Sequence, residues 1–259
     1  MRALFFIWRY LYAAASCLYL FCGGFLCERH RTFLYAICRH FGLGPSVPDI
    51  LPKANLWELI DDKVLIDIRE PLDDNGGISP LQLMTIAKFI RARKPAAILE
   101  IGTFQGRTTL NMAANSEPSC KIYTLDLPKR DLDATALPVS AADKTLIDKD
   151  RSGSRFASTE LGEKITQLYG DSAKFDFSPY FGKIDLVFVD GAHGYEYVLN
   201  DSRIALKLLR GGKGVILWDD YGGSWEGVTK AINELFQREA EFKRLVRLRE
   251  GGFVCYLKD

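Results

Sequence analysis

The sequence predicts an α/β protein with a doubly wound, mostly parallel sheet, and three observations support this prediction. Between residues 97 and 242, strand-like runs that are apolar on both faces alternate with amphipathic helical runs, as in parallel sheets covered by helices on both sides. A glycine turn at residues 102–106 joins the first of these strands to a helix. The chain ends in two short strands around Gly251 and Gly252, which predict an antiparallel hairpin at the edge of a Rossmann-like sheet.

Composition and charge narrow the class of protein. With 259 residues, of which 47% are apolar, the chain is long enough to bury a substantial core. It carries 34 basic and 33 acidic side chains, so no excess of positive charge favours binding to nucleic acid. Its six cysteines form no CxxC pair and indicate neither a zinc site nor a disulfide framework. A reducing compartment is the simpler interpretation.

Residues 1–41 form an apolar helical segment that precedes the predicted domain. The run from Tyr10 to Cys27 contains eighteen residues without a charge, close to the ~20 that cross a bilayer. We therefore expect residues 3–27 to associate with a membrane. Positive charge is concentrated after this segment, so we expect the C-terminal domain to lie in the cytoplasm, at the inner face of the membrane. Two alternatives remain open: a helix that breaks at Gly23 and Gly24 and packs on the domain or on a second subunit of a homodimer, and a secretory signal, which Arg9 disfavours.

The remaining chain divides into a linker and one domain. Residues 42–54 are rich in glycine and proline and are predicted to be a linker, followed by a domain over residues 55–259. Ser79 is expected to cap a helix that starts at Pro80 and leads into the first core strand. Residues 127–164 are polar and far longer than an ordinary connection, which predicts a lid or a substrate-binding loop.

The motif EIGTFQG after the first strand predicts the cofactor. Gly102 and Gly106 allow a sharp turn, and the following helix offers free backbone N–H groups, so a nucleotide-like ligand is expected. Asp126 ends the second strand, twenty residues past Gly106, where a carboxylate suits ribose hydroxyls. The glycines do not form G-x-G-x-x-G, and Glu100 would repel a pyrophosphate but attract a cationic amino group. These features favour S-adenosylmethionine over NAD.

Four motifs in order resemble those of class I S-adenosylmethionine-dependent methyltransferases, in particular the methyltransferase 24 family, which is related to catechol and caffeoyl-CoA O-methyltransferases. The motifs are LEIGTFQGRTTLNMA, YTLDLP, YGDS, and DLVFVDGAHGYEYVLND with LLRGGKGVILWDDY, and the resemblance covers roughly residues 78–257. It implies that Asp126 binds the ribose of the cofactor. The other cofactor-binding residues that it implies are Glu100, Gly102, Thr103 and Gly106 at the methionine end and Asp171 and Ser172 near the adenine.

Carboxylates at the ends of the next strands mark the predicted reaction centre. Asp190, Asp219 and Asp220 lie at the sheet edge where ligands bind, and oxygen ligands suit Mg²⁺ or another divalent cation. In the related enzymes these positions hold the cation as Asp, Asp and Asn, so Asp220 adds a charge. His193 falls where those enzymes have a lysine near the reacting hydroxyl, and we expect it to act as the general base together with Asp190. Helix capping and ordinary turn formation are the alternatives for these residues.

The sequence therefore predicts an S-adenosylmethionine-dependent methyltransferase that acts on a hydroxyl of a small molecule or a sugar. Two other functions remain open. One is a non-catalytic scaffold protein that keeps the cofactor fold and assembles at a membrane. The other is an NAD-dependent oxidoreductase, against which the incomplete glycine pattern argues.

Overall fold

The structure is a computed structural model that describes residues 2–40, 47–60, 63–72, 77–149, 151–223 and 225–259. The chain divides into two compact units, residues 1–47 and residues 48–259.

The first unit consists of two helices, α1 (Arg2–Gly23) and α2 (Glu28–His40). The predicted break is confirmed, since α1 ends at Gly23 and a short turn leads into α2. The ring of Tyr19 lies 5.0 Å from that of His30 across this turn. Within the described residues, the stretch Phe5–Gly23 is the single helical stretch that is long and apolar enough to cross a membrane, judged by length and composition.

The second unit begins earlier than the sequence analysis predicts. Residues 42–46 of the predicted linker lie outside the described residues. Residues 48–54 are part of the folded unit: Leu51 is buried, and strand β1 (Lys53–Ala54) pairs with a strand near the C-terminus. The linker prediction is wrong for these residues. The prolines at 48 and 52 are typical of a connection, but Leu51 between them packs into the core.

An eight-stranded sheet forms the centre of the second unit, and its strand order is β1-β7-β8-β6-β5-β2-β3-β4. All neighbouring strands are parallel except β8, which runs antiparallel to both β6 and β7. The remaining strands are β2 (Ala97–Ile101), β3 (Lys121–Asp126), β4 (Ile165–Tyr169), β5 (Leu186–Val189), β6 (Gly214–Trp218), β7 (Val246–Leu248) and β8 (Val254–Lys258).

Helices cover both faces of this sheet, which confirms the predicted doubly wound architecture. Helices α3 (Pro80–Arg93) and α4 (Arg107–Asn115) pack on one face, and α6 (Tyr195–Leu208) and α7 (Glu226–Arg238) pack on the other. Alternate strand residues supply the two cores: Ile98 faces α3 and α4, whereas Leu99 belongs to the cluster that contains α6 and α7. A short helix, α5 (Ala141–Ile147), lies in the long segment 127–164.

Two local predictions can be compared directly with the structure. Ser79 caps α3 as expected, and it forms a capping box with Gln82. The C-terminal hairpin forms, but it does not lie at the edge of the sheet. Strand β8 pairs with β6 over five residues, which draws the hairpin inward, and β1 pairs with β7 on the outer side.

Candidate functional site

A cavity of about 280 Å³ lies at the carboxyl ends of β2, β3, β5 and β6. This is the sheet edge where ligands bind in open α/β folds. Eight of the predicted site residues line it: Gly102, Asp126, Asp171, Ser172, Asp190, His193, Asp219 and Asp220. Three others, Glu100, Thr103 and Gly106, do not line it. The segment 127–164 contributes part of the wall, including Asp143 and Lys149, which the sequence analysis did not predict.

The glycine turn is required by contacts within the chain itself. Gly102 has φ +102°, and a Cβ atom at this position would lie 1.9 Å from the carbonyl oxygen of Asp190. Gly106 has φ +87° and is the N-cap of α4, and a Cβ atom there would lie 2.6 Å from the ring of Phe156. Thr103 is buried beside Thr124, their hydroxyl oxygens 2.7 Å apart. The turn therefore fixes where β2 meets β5, and it gives the cavity its floor.

Glu100 is not among the residues that line the cavity. It is fully buried, and its Oε2 atom accepts hydrogen bonds of 2.5 Å from the hydroxyls of Thr109 and Thr124. Its Oε1 atom has no hydrogen-bond partner among the described residues, and burial raises its pKa to about 7. The expectation that Glu100 lines the methionine end of the cofactor does not agree with this position. In a strand, neighbouring side chains alternate between faces, and Glu100 points to the α3 and α4 side with Ile98.

The two acids expected to hold ribose and adenine form the cofactor half of the cavity. The Asp126 carboxylate accepts hydrogen bonds from Lys149 Nζ, at 2.8 Å, and from the Ser152 hydroxyl. The Asp171 carboxylate accepts hydrogen bonds from the hydroxyl of Tyr197, at 2.9 Å, and from two backbone N–H groups. Both acids are thus paired, mainly with groups from the segment 127–164 and from α6.

The acceptor half of the cavity contains Asp190, His193, Asp219 and Asp220. Ligand atoms of Asp190, His193 and Asp220 all lie within 4.8 Å of one another. The Oδ1 atom of Asp219 accepts hydrogen bonds from Gln82 Nε2, at 2.6 Å, and from the backbone N–H of Asp220. The metal-binding role expected of Asp190, Asp219 and Asp220 stays a prediction.

Asp190 differs from the other acids of the cavity because its carboxylate has no binding partner among the described residues. Within the described ranges, its carboxylate makes no hydrogen bond or ion pair. Burial and the negative charges of Asp219 and Asp220 raise its pKa well above the usual range. Burial and the charge of Asp220 likewise raise the pKa of Asp219 to about 7. A cation would relieve this repulsion, and two carboxylates with one imidazole form a donor set that fits a divalent metal ion.

His193 is held on all sides. Its Nδ1 atom is hydrogen-bonded to Asp143, its Nε2 atom lies 2.8 Å from Asp220 Oδ2, and its ring stacks on Trp225 at 3.9 Å. Burial lowers the pKa of His193, but the hydrogen bonds and charges of Asp143 and Asp220 outweigh it and raise the pKa to about 10. Both ring nitrogens therefore face carboxylates. The role of His193 as general base stays a prediction.

Comparison with known proteins identifies the class of domain. Residues 99–221 match a family model described as a methyltransferase domain. No curated protein matches the chain. The SAH-bound methyltransferase PaMTH1 of Podospora anserina is similar in structure, with 21% identity, a TM-score of 0.50, and coverage of 71% of this chain and 81% of that chain. Identity at this level establishes the fold alone.

Two further solved structures are similar at lower scores. The O-methyltransferase TomG of Streptomyces achromogenes has 19% identity and a TM-score of 0.49, with coverage of 75% of this chain and 92% of that chain. An O-methyltransferase of Bacillus cereus has 18% identity and a TM-score of 0.47, with coverage of 71% and 84%. The family match, on a doubly wound sheet whose acids line one cavity, identifies residues 99–221 as a methyltransferase domain.

Proposed function

We propose that this enzyme transfers the methyl group of S-adenosylmethionine to a hydroxyl oxygen of a small molecule or a sugar. The observation that carries the proposal is the single cavity that spans β2 to β6, with Asp126 and Asp171 at one end and Asp190 and Asp220 at the other. A cavity lined from β3 to β6 would let the cofactor and an acceptor lie next to each other. The fold shared with the SAH-bound Podospora structure is consistent with the same cofactor.

In this proposal, Asp126 in the cofactor half exchanges hydrogen bonds from the protein for hydrogen bonds from the cofactor. Ribose hydroxyls donate hydrogen bonds to Asp126 in place of Lys149 and Ser152, which now occupy one of its oxygens. Asp171 and Ser172 lie beside the adenine, with Asp171 fixed by Tyr197. The backbone at Gly102 leaves room for the methionine end because no side chain is present there. Glu100 points to the α3 and α4 side of β2 and does not contact the cofactor in this proposal.

The acceptor half aligns the hydroxyl and takes its proton. Methyl transfer is a displacement at carbon, so the acceptor oxygen must lie in line with the sulfonium methyl group. A divalent cation bound at this end would lower the pKa of the acceptor hydroxyl. In the absence of such a cation, Asp190 is the group suited to accept the proton, because its carboxylate is unpartnered within the described residues whereas both ring nitrogens of His193 face carboxylates.

Calorimetric titration tests the cofactor assignment. The full-length protein is titrated with S-adenosylmethionine, SAH and NAD, and Asp126→Ala serves as the variant. We expect saturable binding of the first two ligands and a loss of roughly tenfold or more in Asp126→Ala, since a ribose contact to a buried carboxylate is removed. Release of SAH in the presence of a panel of hydroxyl compounds then tests transfer. Binding of NAD alone would contradict the proposal.

We also propose that the α1 helix associates with a membrane, with the catalytic domain in the cytoplasm. Large apolar side chains of α1, among them Phe6, Trp8 and Leu18, are more than half exposed in the described unit. Their burial in lipid would remove this apolar surface from water. Flotation of the full-length protein with phosphatidylcholine vesicles tests this proposal. Leu18→Asp should abolish flotation, and a variant that floats as well as the wild type would contradict it.

A further inference from the structure

We propose that helices α1 and α2 lie along one leaflet of a membrane that contains anionic phospholipids, and that α1 does not cross the membrane. This inference rests on the proposed membrane association and specifies its geometry and its lipid. Three features of the first unit support it: the short charge-free part of α1, the separation of polar and apolar residues on opposite faces of α1, and an excess of arginine.

The charge-free part of α1 is too short to span a bilayer. It runs from Tyr10 to Gly23, where the helix ends, and contains fourteen residues. At 1.5 Å per residue it is about 21 Å long, whereas the hydrocarbon core of a bilayer is about 30 Å thick. The longer stretch Phe5–Gly23 includes Arg9. A spanning α1 would therefore carry the Arg9 charge into the hydrocarbon, where it is costly.

One face of α1 carries its polar and small residues. Arg9, Ser16 and Gly23 follow one another at intervals of seven residues, which is nearly two helical turns, so they form one stripe. Helix α2 packs at the end of this stripe. The ring of His30 lies 5.0 Å from that of Tyr19, and a Cβ atom at Gly23 would overlap the His30 ring. The turn after Gly23 therefore places the start of α2 on the same side of α1 as Arg9.

The opposite face of α1 is apolar and exposed. Four large side chains on this face are each more than half exposed: Ile7, Leu11, Leu18 and Phe21. The apolar surface continues into the turn, where Phe25 and Leu26 are exposed and the ring of Phe25 lies 5.7 Å from that of Phe21. A helix with one apolar and one polar face lies in the plane of the membrane surface, with its apolar face in the acyl layer.

The charge of this unit identifies the lipid. Residues 1–41 contain five arginines, no lysine and one acidic residue, Glu28, which gives a net charge of +4 (5 − 1). Arg9, Arg29 and Arg31 are exposed. Basic residues beside an exposed apolar face are attracted to anionic membrane surfaces, and guanidinium groups pair well with phosphate oxygens. The partner is therefore a bilayer with anionic phospholipid headgroups.

Aspartate at two adjacent alanines of α1 tests the orientation of the helix. Ala13 lies between Arg9 and Ser16 on the polar face, and Ala14 lies on the apolar face, four residues before Leu18. Both alanines are exposed. Flotation measures the partition of the full-length protein into mixed vesicles, made of equal parts phosphatidylcholine and phosphatidylglycerol. We expect Ala14→Asp to weaken partition at least about tenfold more than Ala13→Asp. Equal losses would overturn the inference, because lipid surrounds both positions of a spanning helix.

Removal of two arginines tests the choice of lipid. Each arginine near an anionic surface strengthens binding about fivefold, so Arg29→Gln combined with Arg31→Gln should weaken partition into the mixed vesicles about 25-fold. Partition into phosphatidylcholine vesicles should change little. Arg130→Gln combined with Arg238→Gln removes the same charge from exposed positions of the second unit and serves as the control. Wild-type binding by the Arg29 and Arg31 variant would overturn the inference.

Two cleavable tags test whether α1 crosses the bilayer. The full-length protein carries one tag before Met1 and another after Asp259, and it is sealed into the mixed vesicles by removal of detergent. A site-specific protease is then added outside. We expect each molecule to lose both tags or neither, because both ends lie on one side of the membrane. Loss of a single tag from each molecule would show that α1 spans the bilayer, and it would overturn the inference.

Failure of this inference can be distinguished from failure of membrane association. Wild-type protein that floats with neither type of vesicle contradicts membrane association itself, and the inference falls with it. Protein that floats equally well with both types, or that loses a single tag, is still bound to the membrane and contradicts only the geometry or the lipid proposed here.

Discussion

The two halves of the cavity contain similar acids but treat them differently. In the cofactor half, Asp126 and Asp171 each accept several hydrogen bonds from the surrounding chain. In the acceptor half, Asp190 has no such partner within the described residues, and Asp219 titrates near neutrality because of burial and the charge of Asp220. One half therefore pairs both of its acids with groups of the protein, and the other leaves the Asp190 carboxylate without a partner among the described residues.

The difference shows that the sheet and the segment 127–164 contribute different groups to the cavity. Strand ends deliver all of these acids to one edge, as parallel strands must. The segment 127–164 then supplies a cation, Lys149, to the cofactor half and a further acid, Asp143, to the acceptor half. The four predictions that follow test this division, in order of decreasing effect.

Gly102→Ala should disturb both halves of the cavity, because Gly102 lies where the end of β2 contacts the end of β5. A methyl group there would overlap the Asp190 carbonyl, and φ +102° disfavours any side chain. We expect a loss of about 4 kcal/mol or more in the free energy of unfolding, measured in urea. Gly182→Ala is the matched control, since its φ is +68° and nothing lies near its Cβ position. It should cost only about 1–2 kcal/mol, and equal losses in the two variants would contradict the role of the clash.

Glu100→Gln should remove a pH dependence of the free energy of unfolding that arises from the buried Glu100 carboxyl group. The folded-state pKa of about 7 lies above the ordinary value of 4.5, so the stabilising protonated form is lost as pH rises through 7. Between pH 5.5 and pH 8 this costs the wild type about 2 kcal/mol. Urea unfolding at both pH values should show the variant gaining that amount relative to the wild type. A constant difference would indicate that Glu100 titrates normally.

Lys149→Met should tighten binding of S-adenosylmethionine while lowering the stability of the free protein. The Lys149 ammonium is mostly buried against Asp126 and competes with ribose for the carboxylate. Without the Lys149 ammonium, ribose has no competitor for the Asp126 carboxylate. We therefore expect the Kd of S-adenosylmethionine to fall about tenfold, which corresponds to about 1.4 kcal/mol of binding free energy. Calorimetry measures the change. Lys129→Met removes an exposed ion pair to Asp148 and should change neither quantity. Weaker binding in Lys149→Met would show that the lysine contacts the cofactor directly.

Tyr197→Phe should have the smallest effect, because Asp171 keeps two backbone donors when the hydroxyl is removed. A loss of about 1 kcal/mol in unfolding free energy is expected, with cofactor affinity within about twofold. Tyr180→Phe is the control, since the Tyr180 hydroxyl makes no hydrogen bond within the described residues. A large loss of affinity in Tyr197→Phe would mean that Asp171 depends on this single bond.

Strand and helix positions in the core could be predicted from the sequence, because apolar periodicity and the Ser79 cap are local signals. Asp126, Asp171, Asp190, Asp219 and Asp220 were also predictable, since each lies at the end of a strand or within two residues after it. The direction of Glu100 was available from strand alternation, but the expected cofactor contact outweighed it.

The partners of these acids could not be predicted in the same way. Gln82, Asp143 and Lys149 are far from the acids in sequence, and the segment that contains two of them has no periodic pattern. Ser140 followed three residues later by Asp143 is a helix-start signal, yet nothing local relates it to His193. The hydrogen bonds of Asp219 with Gln82 and of His193 with Asp143 are such distant contacts.

The two-residue strand β1 has a consequence for solubility. It lies outside β7 at one end of the sheet and is anchored by the ion pair between Asp49 and Arg247 and by Leu51. A version of the protein shortened to residue 55 would lose β1 and expose the backbone N–H and C=O groups of β7. Open strand edges pair with other chains. Residues 48–54, which resemble a connection in sequence, therefore protect the enzyme from edge-to-edge aggregation.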